Sequence, residues 1–261
     1  MQTQKFCDYT VDEKGVALMV IKNPPMNTLA RPVLEDIQNA VKRANADNSV
    51  RVIVFTGDGK AFIAGADINE FTPIKNKSEG SDFLINGQSV LNLIESSDKP
   101  YIAAINGFCL GGGMETALAC HIRLADEKAK LGLPEIKLGI IPGYGGTQRT
   151  PRLIGRGRAY ELILSGNFIS GRQAELYGLV NRAVPEGHVV TEALALAAEI
   201  AGRGRVAVKN TMRAVREGVD MEMMTALSFE RTLFGELCET EDKKEGTAAF
   251  LEKRNPSFTD R

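Results

Sequence analysis

Histidine is nearly absent, with two residues, His121 and His188, in a chain of 261. A Ser-His-Asp or Cys-His nucleophile relay therefore has little to be built from. His121 follows Cys120 at the start of what reads as a buried strand, where core packing is the simpler account of the pair. The four cysteines, Cys7, Cys109, Cys120 and Cys238, show no CxxC spacing. That argues against a disulfide framework or a zinc site and leaves reduced, buried thiols as the expectation. Charge of either sign is not in excess: 32 Lys and Arg stand against 33 Asp and Glu, a net charge of -1. A broad nucleic-acid or acidic-membrane footprint is not expected from that balance. No apolar run approaches the roughly 18 residues that cross a bilayer. The opening "MQTQKFCDYTVDEKG" lacks the apolar stretch of a signal peptide and carries acids that a transit peptide avoids, so the expected location is cytoplasmic. GxxxxGK[ST], HExxH and GxSxG are all missing, and the GxGxxG spacing fails at Thr116 and at Gln148.

What is present is the composition of an ordinary globular protein, 43% apolar and 25% charged. "VALMVI" (16–21) and "RVIVFT" (51–56) are apolar runs bounded by turn residues and read as strands buried on both faces. Between them, residues 30–47 carry apolar positions at helical spacing. "KPYIAAING" (99–107) reads as a strand ending in a Gly turn, followed by a helix from about 112 to 120 and a strand over 121–126. Strand, helix, strand is the opening of an α/β architecture. From 156 onward the segments read as helices, with Ser170 and Thr240 as N-caps. The expected division is 1–195, α/β, and 196–261, all helical. Met221, Met224, Leu227, Leu233 and Leu237 fall at helical spacing near its end, a face fit to pack on the α/β part or on a sister subunit.

Three segments place glycines at the end of an apolar run: "AFIAGADINEF" (61–71), "GFCLGGGMETALAC" (107–120) and "LGLPEIKLGIIPGYGGTQR" (131–149). Ligands bind at strand ends in open α/β sheets, and bare glycine backbone lets a ligand reach main-chain N–H groups at a helix start. Two such fixed donors aimed at one oxygen make an oxyanion hole. Glu115 sits just past the glycines on a helix of Met, Ala, Leu and Cys, and Glu135 lies in an apolar loop after Pro134. A carboxylate among apolar neighbours needs a reason. Two of them beside an oxyanion hole suit water addition, or proton transfer next to a carbonyl.

"KNPPMNTL", "AGADI", "NGFCLGGGME", "LPEIKLGIIPGYGGTQRTPRLIG" and "TAAFLEKR" resemble, in order and over nearly the whole chain, the signature segments of the enoyl-CoA hydratase (crotonase) family, nearest to its short-chain hydratases. The resemblance implies a crotonase-like α/β fold: a spiral core of repeated β-β-α turns, then a helical region that builds trimers, two of which stack into a hexamer. It implies an acyl-CoA thioester as ligand, with coenzyme A as part of the substrate and no separate cofactor or metal. It places the thioester oxygen between the N–H groups of Ala66 and Gly112, with Glu115 and Glu135 as the catalytic pair and Gly143 helping to hold the water. CoA is then expected along residues 22–29 and 64–69, through Lys22, Ala64, Asp67 and Ile68, with Phe250 and Lys253 reaching in from a neighbouring subunit. Asn69 stands where the family frequently has lysine, and Lys22 replaces a frequent arginine. Tyr144 follows Gly143 where smaller residues are common, a position to shape the acyl pocket or to supply a hydroxyl, and residues 71–90 are expected to border the acyl tail as a mobile segment. The implied reaction is hydration of a trans-2-enoyl-CoA to a 3-hydroxyacyl-CoA in β-oxidation or related acid degradation. Double-bond isomerisation by the same acids, and RNA binding as in some relatives, are the alternatives.

Overall fold

The structure, a computed structural model, describes residues 5–260. A hairpin opens it: β1 (Cys7–Val11) pairs antiparallel with β2 (Val16–Ile21), which runs parallel to β3 (Val52–Gly57) after the amphipathic helix α1 (Arg31–Ala46). A repeated unit follows. β3 leads to β4 (Ala61–Ile63) and α2 (Lys77–Glu95); β5 (Tyr101–Ile105) leads to β6 (Phe108–Leu110) and α3 (Gly112–Ala119); β7 (Ile122–Asp126) leads to β8 (Lys130–Gly132) and α4 (Gly146–Ser165). In each turn the first strand joins a six-stranded sheet ordered β1-β2-β3-β5-β7-β10, and the second joins a four-stranded sheet ordered β4-β6-β8-β9. The last strands are β9 (Ile169–Ser170) and β10 (Arg182–Val184), around α5 (Gly171–Tyr177). This is the expected crotonase-like spiral of β-β-α turns.

Alternation along the central strands divides the core in two. Ile53, Phe55, Tyr101, Ala103 and Ile105 face one cluster with α1 and α2, while Val52, Val54, Ile102 and Ala104 face α6 (Val189–Ala201) through Val189, Ala193, Ala197 and Ala201. Both faces of the large sheet are thus covered, which is why its strands read as unbroken apolar runs. Because α6 runs through 195 and 196, residues on both sides of the expected division pack on the sheet. Beyond it, α7 (Arg205–Gly218), α8 (Met223–Cys238) and α9 (Glu241–Glu252) are helical, and Ser170 and Thr240 do cap their helices, accepting from the N–H of Gln173 and Lys243.

Four details add to the sequence reading or depart from it. Between the helices expected after 156 lie β9 and β10, strands of two and three residues, too short to show a period and held by pairing with β8 and β7. Most of 71–90 is the regular helix α2, capped by the Asn76 side chain. Of the apolar set on and just before α8, Leu233 alone is buried, whereas Met221, Met224 and Leu227 are exposed on the single chain. Cys238 is exposed; only Cys7, Cys109 and Cys120 are buried.

Candidate active site

The small sheet builds the site. β4 and β6 pair in parallel, Ala61 with Phe108 and Ile63 with Cys109, so the loops after them, 64–67 and 111–112, emerge side by side. A Cβ added to Gly111 would lie 3.7 Å from the Gly65 Cα. The Ala64 N–H donates to the Met26 carbonyl, and Leu29 bridges to Ala66, so segments 22–29 and 64–69 run together along this edge. Asn27, which sequence reasoning passed over, fixes that turn by donating its amide to the carbonyls of Asp58 and Ala61.

The three consecutive glycines have three separate reasons. Gly111 takes φ +52° at the N-cap of α3, a left-handed setting that favours glycine. Gly113 meets β4 so closely that a Cβ would stand 2.0 Å from the Ile63 carbonyl oxygen. Gly112 opens α3 with its Cα against Leu29 and the Tyr144 ring. Among the described residues, neither the Gly112 nor the Ala66 N–H has a protein acceptor. At adjacent strand ends, with α3 adding its N-terminal partial charge, these two groups are free for a ligand oxygen.

A pocket of about 900 Å³ opens here, lined by Ala64, Ala66, Ile68, Gly112, Gly143 and Tyr144 together with both glutamates. Phe71, Ile74, Phe83 and Leu84 form one apolar wall, and Leu138, Ile140 and Ile141 another. Residues of the 71–90 segment thus do border it.

Glu115 is 2% exposed, and its Oε1 accepts from the N–H groups of Tyr144 and Gly146, each at 2.7 Å. Burial pushes its carboxyl up to about 7, and the nearby Glu135 charge adds to the rise, against the pull of the two N–H donors and of Arg149. Such a group is poised to exchange a proton near neutral pH. Glu135 sits in a short 3₁₀ turn (Pro134–Leu138) that Gly139 ends in the left-handed conformation. Its Oε2 is buried with no hydrogen-bond partner among the described residues, and burial raises its pKa also. An unpaired buried carboxyl beside a second one favours the protonated form for one of the two.

The donors to Glu115 come from the loop 143–146, which α2 holds. Gln88 donates to the Gly143 carbonyl at 2.7 Å, and Arg149 donates to the Tyr144 carbonyl at 2.8 Å while forming a two-toothed ion pair with Glu95 at 2.7 and 2.9 Å. Neither residue was singled out from the sequence; Arg149 lies within "GGTQR", but nothing there tells that its partner is on a distant helix.

The remaining expected positions lie outside the lining. Lys22 pairs with Asp8 at 2.6 Å on the surface, and Asp67 caps the turn Ile68–Glu70 by accepting from the Asn69 N–H. Phe250, 82% exposed, and Lys253 lie at the end of α9. His121 is structural: its Nδ1 accepts from the Tyr101 N–H at 3.0 Å, which puts the proton on Nε2, facing the Glu95 carbonyl at 3.3 Å. No helix among the described residues is long and apolar enough to cross a membrane.

Comparison with known proteins agrees with this arrangement. The family model described as enoyl-CoA hydratase/isomerase matches residues 12–261. A probable enoyl-CoA hydratase of Bacillus subtilis is 46% identical over 247 residues, covering 94% of this chain and 96% of its own. A protein of Syntrophomonas wolfei named crotonyl-CoA hydratase is 42% identical over 248 residues, covering 94% and 95%. The crystal structure of an enoyl-CoA hydratase from Bacillus anthracis superposes with a TM-score of 0.94 at 38% identity, covering 98% of this chain and all of the other. Two acids and two free main-chain donors in one pocket, on this fold and with these relatives, lead to one assignment: the chain belongs to the enoyl-CoA hydratase/isomerase family.

Proposed function

We propose that the protein hydrates trans-2-enoyl-CoA thioesters to 3-hydroxyacyl-CoA, reversibly. The observation that carries this is the meeting of Glu115, Glu135 and the unpaired N–H groups of Ala66 and Gly112 in one pocket. The thioester oxygen accepts from Ala66 and Gly112, which stabilise the charge it gains as water adds; one such donor is worth about 2.7–4 kcal/mol in related chemistry. Glu115, ionised, takes a proton from the water whose oxygen bonds to the β carbon. Glu135, protonated, gives its proton to the α carbon, and the proton held by Glu115 restores the pair for the next turnover. Gly143, which lines the same pocket, helps hold the water. Atoms balance with no redox step, so the reaction calls for no cofactor beyond the CoA of the substrate.

CoA lies along 22–29 and 64–69, with Lys22, Ala64, Asp67 and Ile68 at the mouth. Phe250 and Lys253 serve the pocket of a neighbouring subunit in a trimer or a dimer of trimers. The exposed Val215 on α7, Val219 just past its end, and Met223, Met224 and Phe234 on α8 supply apolar surface for that assembly. The name of the Syntrophomonas relative supports crotonyl-CoA as the first substrate to try. Enzyme added to crotonyl-CoA should lower the absorbance of the conjugated enoyl thioester to its equilibrium level, and Glu135→Gln should slow this by about 10²–10⁴. Unchanged absorbance across several chain lengths would remove hydration, and double-bond migration from a 3-enoyl-CoA would then be assayed in its place.

A further inference from the structure

The helix α2 and the loop 143–146 interlock through two glycine seats. Leu84 of α2 packs on Gly143, where an added Cβ would stand 2.5 Å from its Cδ2. One turn further along, Gly87 of α2 receives the Tyr144 ring: a Cβ there would stand 2.2, 2.3 and 2.6 Å from Cε1, Cζ and Cδ1. The other edge of the same ring, Cδ2 and Cε2, faces Gly112, at 3.5 and 3.6 Å from the Cβ that residue lacks. The ring therefore spans the gap between α3, where the ligand oxygen is held, and α2. It is 4% exposed and lines the pocket. Gln88 and Arg149 lock the loop so that the ring cannot swing out with it.

Resting on the acyl-CoA reading above, we propose that Tyr144, seated on Gly87, is the chain-length stop of the acyl pocket, restricting the protein to short acyl groups. An acyl tail leaving the Gly112 site toward α2 meets the near edge of the ring, Cδ2 and Cε2. A smaller residue at 144 opens that path down to the bare Gly87 backbone. Burial lifts the phenol up to about 12, so the ring stays neutral and the stop does not vary with pH over any ordinary assay range. The glycine at 87 is part of the device. In the middle of a 19-residue helix glycine is less favourable than alanine, and here no other residue leaves room for the ring.

The test pairs turnover with binding. Hydration of crotonyl-CoA and trans-2-decenoyl-CoA is measured for the wild type, Tyr144→Ala and Tyr144→Phe, and the affinities of butyryl-CoA and decanoyl-CoA, which cannot be hydrated, are measured by calorimetry. In Tyr144→Ala the decenoyl-to-crotonyl ratio of kcat/KM should rise at least about tenfold, as should the decanoyl-to-butyryl ratio of affinities; Tyr144→Phe should hold both wild-type ratios. Gly87→Ala improves helix propensity but forces the ring into the pocket, so it should weaken butyryl-CoA about tenfold or more. Ratios unmoved in a folded Tyr144→Ala overturn the stop and leave hydration standing. If Tyr144→Ala does not fold, unchanged butyryl-CoA binding in Gly87→Ala overturns it instead. Affinity ratios that shift as expected in a protein that hydrates nothing retain the stop and remove the hydratase reading.

Discussion

Replacing Glu115 by glutamine should harm the reaction and help the fold, and the structure gives the size and pH window of the second effect. The native Glu115 carboxyl is held up to about 7 by burial against an ordinary 4.5. Between those values the folded protein keeps a proton that the unfolded chain has released, so stability falls as pH rises. At about 1.4 kcal/mol per pH unit, this amounts to on the order of 3 kcal/mol. His121 acts in the opposite sense: burial pulls its imidazole down from 6.5 to about 4, so the unfolded chain takes up the proton first on acidification. Stability is then lost by a comparable amount as pH falls from about 6.5 to about 4. In the wild type the two slopes offset each other. Glutamine keeps an acceptor for the Tyr144 and Gly146 N–H groups but does not titrate, leaving the His121 slope uncovered. Urea unfolding followed by far-UV circular dichroism, since the chain has no tryptophan, is the assay, at one protein concentration. Glu115→Gln should match or exceed wild-type stability at about pH 8 and lose about 3 kcal/mol more than the wild type on moving to about pH 4.5. Activity should fall about 10²–10⁴. A variant less stable at the higher pH, or one with the wild-type pH profile, would show that Glu115 is a structural acid and would refute the reasoning.

Other outcomes follow from the same geometry. Gly113→Ala drives a Cβ to 2.0 Å from the Ile63 carbonyl oxygen and should cost about 1–3 kcal/mol or block folding. Gly112→Ala, with 3.2 Å to a movable Leu29 methyl, should keep its Tm within a few degrees of the wild type; thermal melts of the two compare them directly. Arg149→Met releases the Tyr144 carbonyl and Glu95, so kcat should drop about ten- to a hundredfold while the protein stays folded, checked by steady-state kinetics beside a melt. Light scattering should give the mass of three or six chains of 28.3 kDa; a monomer at working concentration would remove the neighbouring-subunit role of Phe250 and Lys253.

Much of the fold was legible because both faces of the large sheet are buried, so β2, β3 and β5 announce themselves as apolar runs. The hairpin strand β1 did not, since an edge strand half open to solvent mixes Asp8, Tyr9 and Thr10 with apolar residues. Strands of two or three residues, β4, β6, β8 and β9, carry no period at all, yet they form the sheet that bears the site. The two glutamates stood out as acids among apolar residues and glycines. Their supports did not: Asn27, Arg149 and Gln88 reach partners 31 to 55 positions away, on loops and helices whose approach only the folded chain defines. Local sequence shows which residue is unusual, and tertiary structure decides what it touches.

The most direct measurement is a crystal structure with a bound 3-hydroxyacyl-CoA. The thioester oxygen should lie about 2.7–3.1 Å from the main-chain nitrogens of both Ala66 and Gly112, with the 3-hydroxyl between the carboxyls of Glu115 and Glu135. A thioester oxygen bound by neither nitrogen, or a hydroxyl facing away from both acids, would contradict the proposed chemistry.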